Sequence, residues 1–158
     1  MTLLEEYGYI MQIMDKPMHP ELPEGVSWEW FCKESKRFKK VDVDLSKKVS
    51  KEHGCKLKEC YHNAWTSDVC GLYDYYEGYV IKDDLPLAMA HSWLVDRNSG
   101  KVIDPTLVIP FELDGKRIDS VGDHYIGVNI DRTWLNKTAF KLKRTGDFLR
   151  QWREEKHD

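Results

Sequence analysis

Apolar residues in the first half of the chain recur at three- and four-residue intervals, the spacing of amphipathic helices. The first such segment runs to Met14 and is followed by Pro17 and Pro20, which predicts a helix and then a loop. Its apolar positions are Leu3, Tyr7, Ile10, Met11 and Met14. Thr2 and Glu5 stand at the spacing of a capping box.

Residues 26–38 fit two patterns. The helical interpretation uses a Ser27 cap and four apolar positions, Trp28, Phe31, Cys32 and Phe38. The strand interpretation uses the alternating residues Val26, Trp28, Trp30 and Cys32. We predict the helix.

Two further helices are predicted before residue 71. A polar stretch favours a short helix near 46–52, ended by Gly54. The next helix, over 59–69, is closed by Gly71 and has no Ser, Thr, Asp or Asn immediately before it as an N-cap. Its apolar positions are Cys60, Tyr61, Ala64, Trp65 and Val69.

Strand patterns dominate from residue 75 onward, where turn residues separate short apolar runs. The predicted strands cover residues 75–81, 89–95, 101–104, 107–113, 116–118 and 126–130. Asp114-Gly115 is the strongest hairpin signal, and Pro110 puts the strand before it at a sheet edge or bulge.

Helical periodicity returns in the last part of the chain. A helix over 133–144 and a short helix after Gly146 are predicted. Leu135, Ala139 and Leu142 are predicted to face inward in the first, and the second carries Phe148, Leu149 and Trp152. Helices, then an antiparallel sheet, then helices predict an α+β fold. We expect one domain over residues 1–158, with a core at about 55–130 and helical elements at 1–53 and 133–156.

Composition limits the class and the setting. Of the 158 residues 41% are apolar and 32% charged, as in ordinary globular proteins. No apolar run approaches the ~20 residues of a membrane-spanning helix, and the first segment has no Lys or Arg of the kind that opens a secretory signal. We therefore expect a cytoplasmic protein without membrane contact. Its four cysteines, at positions 32, 55, 60 and 70, are expected to be free thiols.

The charge pattern indicates which binding partners to expect. A net charge of −3 gives no reason to expect a nucleic-acid partner. Residues 33–59 nevertheless hold ten Lys or Arg against five Asp or Glu. Interspersed charge is usually a solvated surface, which is the preferred interpretation. A protein or other anionic partner, bound through the basic region 33–58, is the alternative.

The candidate chemistry involves Cys60, His91 and Asp104, which follow one another in the segments KECYHNAW and HSWLVDRNSGKVIDPT. A thiol attacks carbonyl groups as its thiolate, which a helix N-terminus and a nearby imidazolium both favour. Cys60 opens a predicted helix, so backbone N–H groups there would also face an oxyanion. The adjacent carboxylate of Glu59 disfavours the thiolate, and no Gln stands a few residues upstream to bind the oxyanion.

The predicted hairpin around residues 97–100 gives His91 and Asp104 a reason to meet. If this loop is closed by Asp96 and Lys101, Trp93 lies opposite Asp104. His91, two residues from Trp93 on the same face, is then a diagonal neighbour of Asp104, at about 7–8 Å between backbones. A shift of one residue in register would put the two side chains on opposite faces.

Four features in this order resemble the core of transglutaminase-like cysteine enzymes, within the broader papain-like group. They are the helix starting at Cys60, Glu-Gly-Tyr at 77–79, His91-Ser-Trp, and Asp-Pro-Thr at 104–106. The resemblance covers about residues 55–106, with Ser92 where the family usually has Ala. It implies a nucleophile helix packed on an antiparallel sheet, with Cys60 as nucleophile, His91 as general base and acid, and Asp104 as orienter of the imidazole.

The leading hypothesis is a cysteine hydrolase or acyltransferase that needs no cofactor or metal and acts on an amide-type carbonyl of a peptide, protein or small amide. Two alternatives stay open. A metal-binding module would draw on four residues whose spacing matches no familiar zinc pattern, His53, Cys55, Cys60 and His62. A non-catalytic binding or inhibitory protein would retain the fold and use the basic region for contacts.

Overall fold

Residues 10, 12–17, 21–118 and 121–156 are described by the computed structural model of the chain. Of the first predicted helix, residues 10 and 12–14 are described, and they are helical. Ile13 is fully buried, whereas Met14, predicted as part of the apolar stripe, is 45% exposed. The other positions named for this helix lie outside the described residues: Thr2, Leu3, Glu5, Tyr7 and Met11.

The helical interpretation of residues 26–38 is confirmed for its first part. Helix α1 (Trp28–Glu34) begins after Ser27, whose side chain accepts a hydrogen bond from the backbone N–H of Trp30. The prediction is wrong for Phe38, which belongs to strand β1 (Lys36–Phe38). The chain becomes extended at Ser35, so the helix ends before Phe38.

Helix α2 (Val43–Glu52) confirms the short helix predicted near 46–52 and begins three residues earlier. The early start has a local cause, because the side chain of Asp42 accepts a hydrogen bond from the backbone N–H of Leu45 and acts as N-cap. Gly54, with φ of 59°, follows the last turn as predicted.

A five-stranded antiparallel sheet forms the centre of the molecule. Besides β1, it contains the longer strands β2 (Asp74–Ile81), β3 (Ala88–Val95) and β7 (His124–Ile130) and the short edge strand β4 (Val102–Ile103). The strands lie in the order β1-β7-β2-β3-β4. Val102 also donates a 2.9 Å hydrogen bond to Lys40 O and accepts one from Asp42 N. These bonds link the segment after β1 to β4, so the sheet curls into a half-barrel.

The hairpin register predicted for β3 and β4 is confirmed. Leu94 pairs with Ile103 and Val95 with Val102, and the loop is closed by a 3.0 Å bond from Asp96 N to Lys101 O. This is the register that brings His91 and Asp104 to one face of the hairpin.

The second hairpin is confirmed in part. Strands β5 (Phe111–Leu113) and β6 (Lys116–Ile118) flank Asp114-Gly115, whose φ angles of 50° and 76° suit a tight turn. The predicted strand over 107–113 is wrong in its first half. Residues 105–109 form turns, because Asp104 Oδ1 accepts the N–H groups of Thr106 and Leu107, and Ile109 N donates to Thr106 O.

The C-terminal helices are α4 (Arg132–Leu142) and α5 (Leu149–Lys156). Of the residues predicted to face inward, Leu135 and Ala139 are buried. Phe148, Leu149 and Trp152 are buried as well, but Phe148, which was predicted within the last helix, lies just before it. Leu142 was expected inside but is 40% exposed, at the end of a helix that stops at Lys143 in the left-handed conformation. Helices before and after an antiparallel sheet confirm the predicted α+β fold. Within the described part of the chain, no helix has the length and apolar character that a membrane span requires.

Candidate functional site

Helix α3 (Cys60–Thr66) begins at Cys60, which is half-buried. Glu59 precedes it without a side-chain capping bond, and the first bond of the helix runs from Asn63 N to Glu59 O at 2.8 Å. The backbone N–H of Cys60 therefore lies in the first turn, outside the i to i−4 ladder. The predicted end near Val69 is wrong, since the helix stops at Thr66 and turns lead to Gly71, with φ of 76°.

His91 lies in β3 with 3% of its surface exposed. Its cross-strand partner is Gly78, so no side chain from β2 competes for the space beside the imidazole. The Trp93 ring stacks on the imidazole, with ring centres 6.3 Å apart and an interplanar angle of 17°. The predicted contact with Asp104 is confirmed, because His91 Nε2 lies 2.9 Å from Asp104 Oδ2.

Asp104 is fully buried, and hydrogen bonds to both of its oxygens hold it in place. Oδ1 accepts the backbone N–H groups of Thr106 and Leu107 at 3.1 and 3.0 Å. Oδ2, which contacts His91, also accepts the hydroxyl of Tyr125 at 2.7 Å. With both oxygens engaged, the carboxylate has one orientation towards the imidazole.

The backbone of Asp104 is fixed as well. Its N–H donates a 2.9 Å bond to the hydroxyl of Ser46, a buried residue of α2. That hydroxyl in turn donates to Asp42 O at 2.6 Å. Helix α2 thus fixes the backbone at Asp104.

The two charges stabilise each other inside the protein. Burial alone would lower the pKa of His91, but the Asp104 charge and hydrogen bond outweigh it and raise the pKa to about 10, with a contribution from a hydrogen bond to Cys60. Burial would raise the pKa of Asp104, but the His91 charge and hydrogen bonds hold it below its ordinary value. Burial and the Asp104 charge raise the pKa of Tyr125, so its hydroxyl stays protonated and donates.

The site therefore joins His91 directly to Asp104, and helix α3, which begins at Cys60, packs against the strand that carries His91. Since Nε2 of His91 is engaged by Asp104, Nδ1 is the ring nitrogen that remains for another partner. Glu59, the carboxylate next to Cys60, is exposed.

Three polar residues of the site were not predicted, Ser46, Asn63 and Tyr125. Asn63 is 2% exposed and lies one turn after Cys60. An amide within the apolar stripe of a short helix is a usable signal, because a buried amide needs partners. Ser46 and Tyr125 carry no comparable local signal, since their contacts depend on how α2 and β7 pack.

Glu77 is a second buried carboxyl group, on β2 next to Gly78. It accepts bonds from Phe148 N at 2.6 Å and from the Tyr75 hydroxyl at 2.7 Å. Burial raises its pKa to about 7 despite these bonds. Since neighbouring strand residues point to opposite faces, Glu77 faces away from the site and fixes the start of α5 to the sheet.

The residues considered for a metal do not come together. His53 and His62 are exposed, and the sulfur of Cys55 lies 3.5 Å from the Ser67 hydroxyl. Across the described ranges of the chain, no group of three or more His, Cys, Asp or Glu side chains is arranged to hold a metal ion.

The basic region 33–58 lies largely at the surface. Arg37 is half-buried, and its other nine basic residues are exposed: Lys33, Lys36, Lys39, Lys40, Lys47, Lys48, Lys51, Lys56 and Lys58. Exposure agrees with both interpretations of this region, a solvated surface and a contact surface.

Comparison with known proteins gave no relative: no family model, no curated protein and no solved structure matches the chain. The site must therefore be interpreted from its own geometry.

Proposed function

We propose that the protein is a cysteine-dependent hydrolase or acyltransferase that acts on an amide or peptide-type carbonyl. The observation that carries the proposal is the pairing of His91 with a fully buried carboxylate at 2.9 Å, on a strand that packs against the helix opened by Cys60. Buried ionised groups are retained at a cost in stability unless they are paired. A site that orients a charged imidazole towards a thiol has the features that nucleophilic catalysis requires.

In the proposed reaction the Cys60 thiolate attacks the carbonyl carbon and forms a tetrahedral adduct. The His91 imidazolium then gives its proton to the leaving amine as the carbon–nitrogen bond breaks, which leaves an acyl-enzyme. Water or a second amine, deprotonated by His91, attacks the thioester and releases Cys60 as thiolate. Asp104 orients the imidazole throughout. The backbone N–H of Cys60 is the first candidate donor to the oxyanion, because it lies in the first turn of α3.

The resemblance to transglutaminase-like enzymes agrees with this proposal and adds substrate classes: peptides, proteins or small amides. Support comes from the order of the three residues, from the antiparallel hairpin that carries two of them, and from the contact between α3 and β3. All four cysteines are free thiols, which suits a reducing, cytoplasmic setting.

Selective alkylation tests the proposal. We expect iodoacetamide to modify Cys60 faster than Cys32, Cys55 and Cys70, with a rate that changes between about pH 5 and 8, where activated thiols ionise. Mass analysis of peptides gives the rate at each cysteine, and the exposed Cys70 serves as the internal reference. A His91→Gln variant should remove the advantage of Cys60. Equal rates at all four cysteines, or a Cys60 rate unaffected by His91→Gln, would refute the activated thiol.

A non-catalytic binding protein is the second candidate, and it would use the exposed basic region 33–58 as its contact surface. Such a protein would not depend on the thiol. A Cys60→Ala variant that retains the full biological effect of the wild type would therefore support binding over catalysis.

A further inference from the structure

The nucleophile helix and the turn that carries Asp104 are joined by a buried hydrogen bond. The side-chain Nδ2 of Asn63 donates to Thr106 Oγ1 at 2.9 Å, and both residues are at most 4% exposed. We propose that Asn63 and Thr106 are positioning residues that set the separation of the Cys60 thiol and the His91 imidazole. The inference rests on the proposed function, since it concerns the alignment of that same pair.

The orientation of the Asn63 amide is fixed by the loop before the helix. Its Oδ1 accepts Lys56 N at 3.2 Å, and its Nδ2 donates to Lys56 O at 2.7 Å. A flipped amide would point its NH2 group at the N–H of Lys56 and its oxygen at the carbonyl of Lys56, so that donor would face donor and acceptor would face acceptor. The second Nδ2 proton must therefore point at Thr106, whose hydroxyl oxygen accepts it.

Thr106 forms hydrogen bonds with two partners, one through its side chain and one through its backbone. Its side chain holds Asn63, while its backbone N–H donates to Asp104 Oδ1 at 3.1 Å. The same residue thus ties the helix to the carboxylate. The rest of Asp104 is held by His91, Tyr125 and Ser46 from the sheet and α2.

These bonds form a continuous chain through the site. It runs from Cys60 along one helical turn to Asn63, then through Thr106 and Asp104 to His91, whose strand packs against the helix of Cys60. Residues three apart lie on the same side of a helix, so a shift at Asn63 moves Cys60 with it. Without the bond between Asn63 and Thr106, this chain of bonds no longer joins the helix of Cys60 to the turn of Asp104.

Thr106→Val and Thr106→Ser form a matched pair for the test. Valine keeps the shape of threonine but removes the acceptor, whereas serine keeps the hydroxyl. We expect Thr106→Val to reduce the Cys60 alkylation rate by iodoacetamide at pH 7 about tenfold, the effect of one net hydrogen bond, and to change its pH profile. Thr106→Ser should retain the wild-type rate and profile, and alkylation of the exposed Cys70 should be equal in all three proteins.

A Thr106→Val protein with the wild-type rate and profile would overturn the inference and leave the proposed function standing. So would equal losses in Thr106→Val and Thr106→Ser, because the hydroxyl would then not matter. A wild-type Cys60 no more reactive than Cys70 would overturn the proposed function and this inference together. If Thr106→Val does not fold, Thr106→Ala replaces it under the same criteria, because the space vacated there lets a water bind Asn63.

Discussion

At the scale of single residues, the site is defined by the charge of His91. The His91 imidazole is 3% exposed, so its protonated form lacks the solvation that it would have in water. Its pKa is nevertheless raised from the ordinary 6.5 to about 10. The buried carboxylate of Asp104 supplies the difference, and Tyr125 donates to the same oxygen that contacts the ring. The charge of His91 is therefore set mainly by Asp104, whose charge a single substitution can remove.

Asp104→Asn should lower the pKa of His91 well below about 10, because burial lowers this pKa and the Asp104 charge that outweighs burial is then gone. Titration of the His91 ring protons by NMR measures this change. Asp114→Asn is the matched control, since Asp114 is an exposed turn residue whose φ of 50° asparagine tolerates. A His91 pKa that stays near 10 in Asp104→Asn would show that another group holds the charge.

Stability should follow the same pair. The raised pKa of His91 contributes stability that is fully present below pH 6.5 and is lost as the pH rises through about 10. The lowered pKa of Asp104 contributes stability that is present above 3.8 and lost as pH falls through its folded-state pKa. The stability advantage of the wild type over Asp104→Asn should thus be largest between about pH 4 and 6.5 and shrink at alkaline pH. Urea unfolding across this range measures it, and an advantage that grows above pH 7 would contradict the pairing.

At the scale of elements, the sequence predicted what local periodicity and turn chemistry determine. The register of β3 and β4 followed from a four-residue loop, and this register is what joins His91 to Asp104. Residues 107–109 were misassigned as strand, because the Asp104 side chain takes the N–H of Leu107 and closes a turn there. Side-chain capture of backbone donors competes with strand pairing and leaves no trace in the apolar pattern.

Glu77 fixes the start of α5 to the sheet, so its ionisation should change the stability of the protein. Because the pKa of Glu77 is raised in the folded state, its contribution to the free energy of unfolding is fully present below pH 4.5. That contribution is lost as the pH rises through about 7, where the carboxyl group of the folded protein ionises. Glu77→Gln keeps an acceptor for Phe148 N and removes the buried charge. It should therefore match the wild type below pH 4.5 and be up to ~3 kcal/mol more stable above pH 7.

Chemical unfolding of Glu77→Gln at several pH values checks this prediction. Glu112→Gln, at an exposed position of β5, is the control and should change stability little at any pH. A Glu77→Gln effect that is the same at pH 5 and pH 8, or a loss of stability at pH 8, would contradict the ionisation of Glu77.

At the scale of the whole molecule, the site joins parts of the chain that the sequence pattern treats separately. Ser46 comes from α2 and Tyr125 from β7, and both reach Asp104 because the sheet has the order β1-β7-β2-β3-β4 and curls until the segment after β1 meets β4. Local periodicity does not encode such long-range pairings. The three residues with distinctive chemistry could be predicted, whereas the polar residues that hold them in place could not.

The proposed function requires that Cys60, with His91 and Asp104, takes an acyl group from a carbonyl compound. Mass analysis of the intact protein after brief exposure to an activated acetate ester, followed by peptide mapping, measures this transfer. We expect one acetyl group on Cys60, formed faster than on any other cysteine and at least about a hundredfold slower in His91→Gln. Acetylation of Cys60 no faster than that of the exposed Cys70, or at an unchanged rate in His91→Gln, would contradict it.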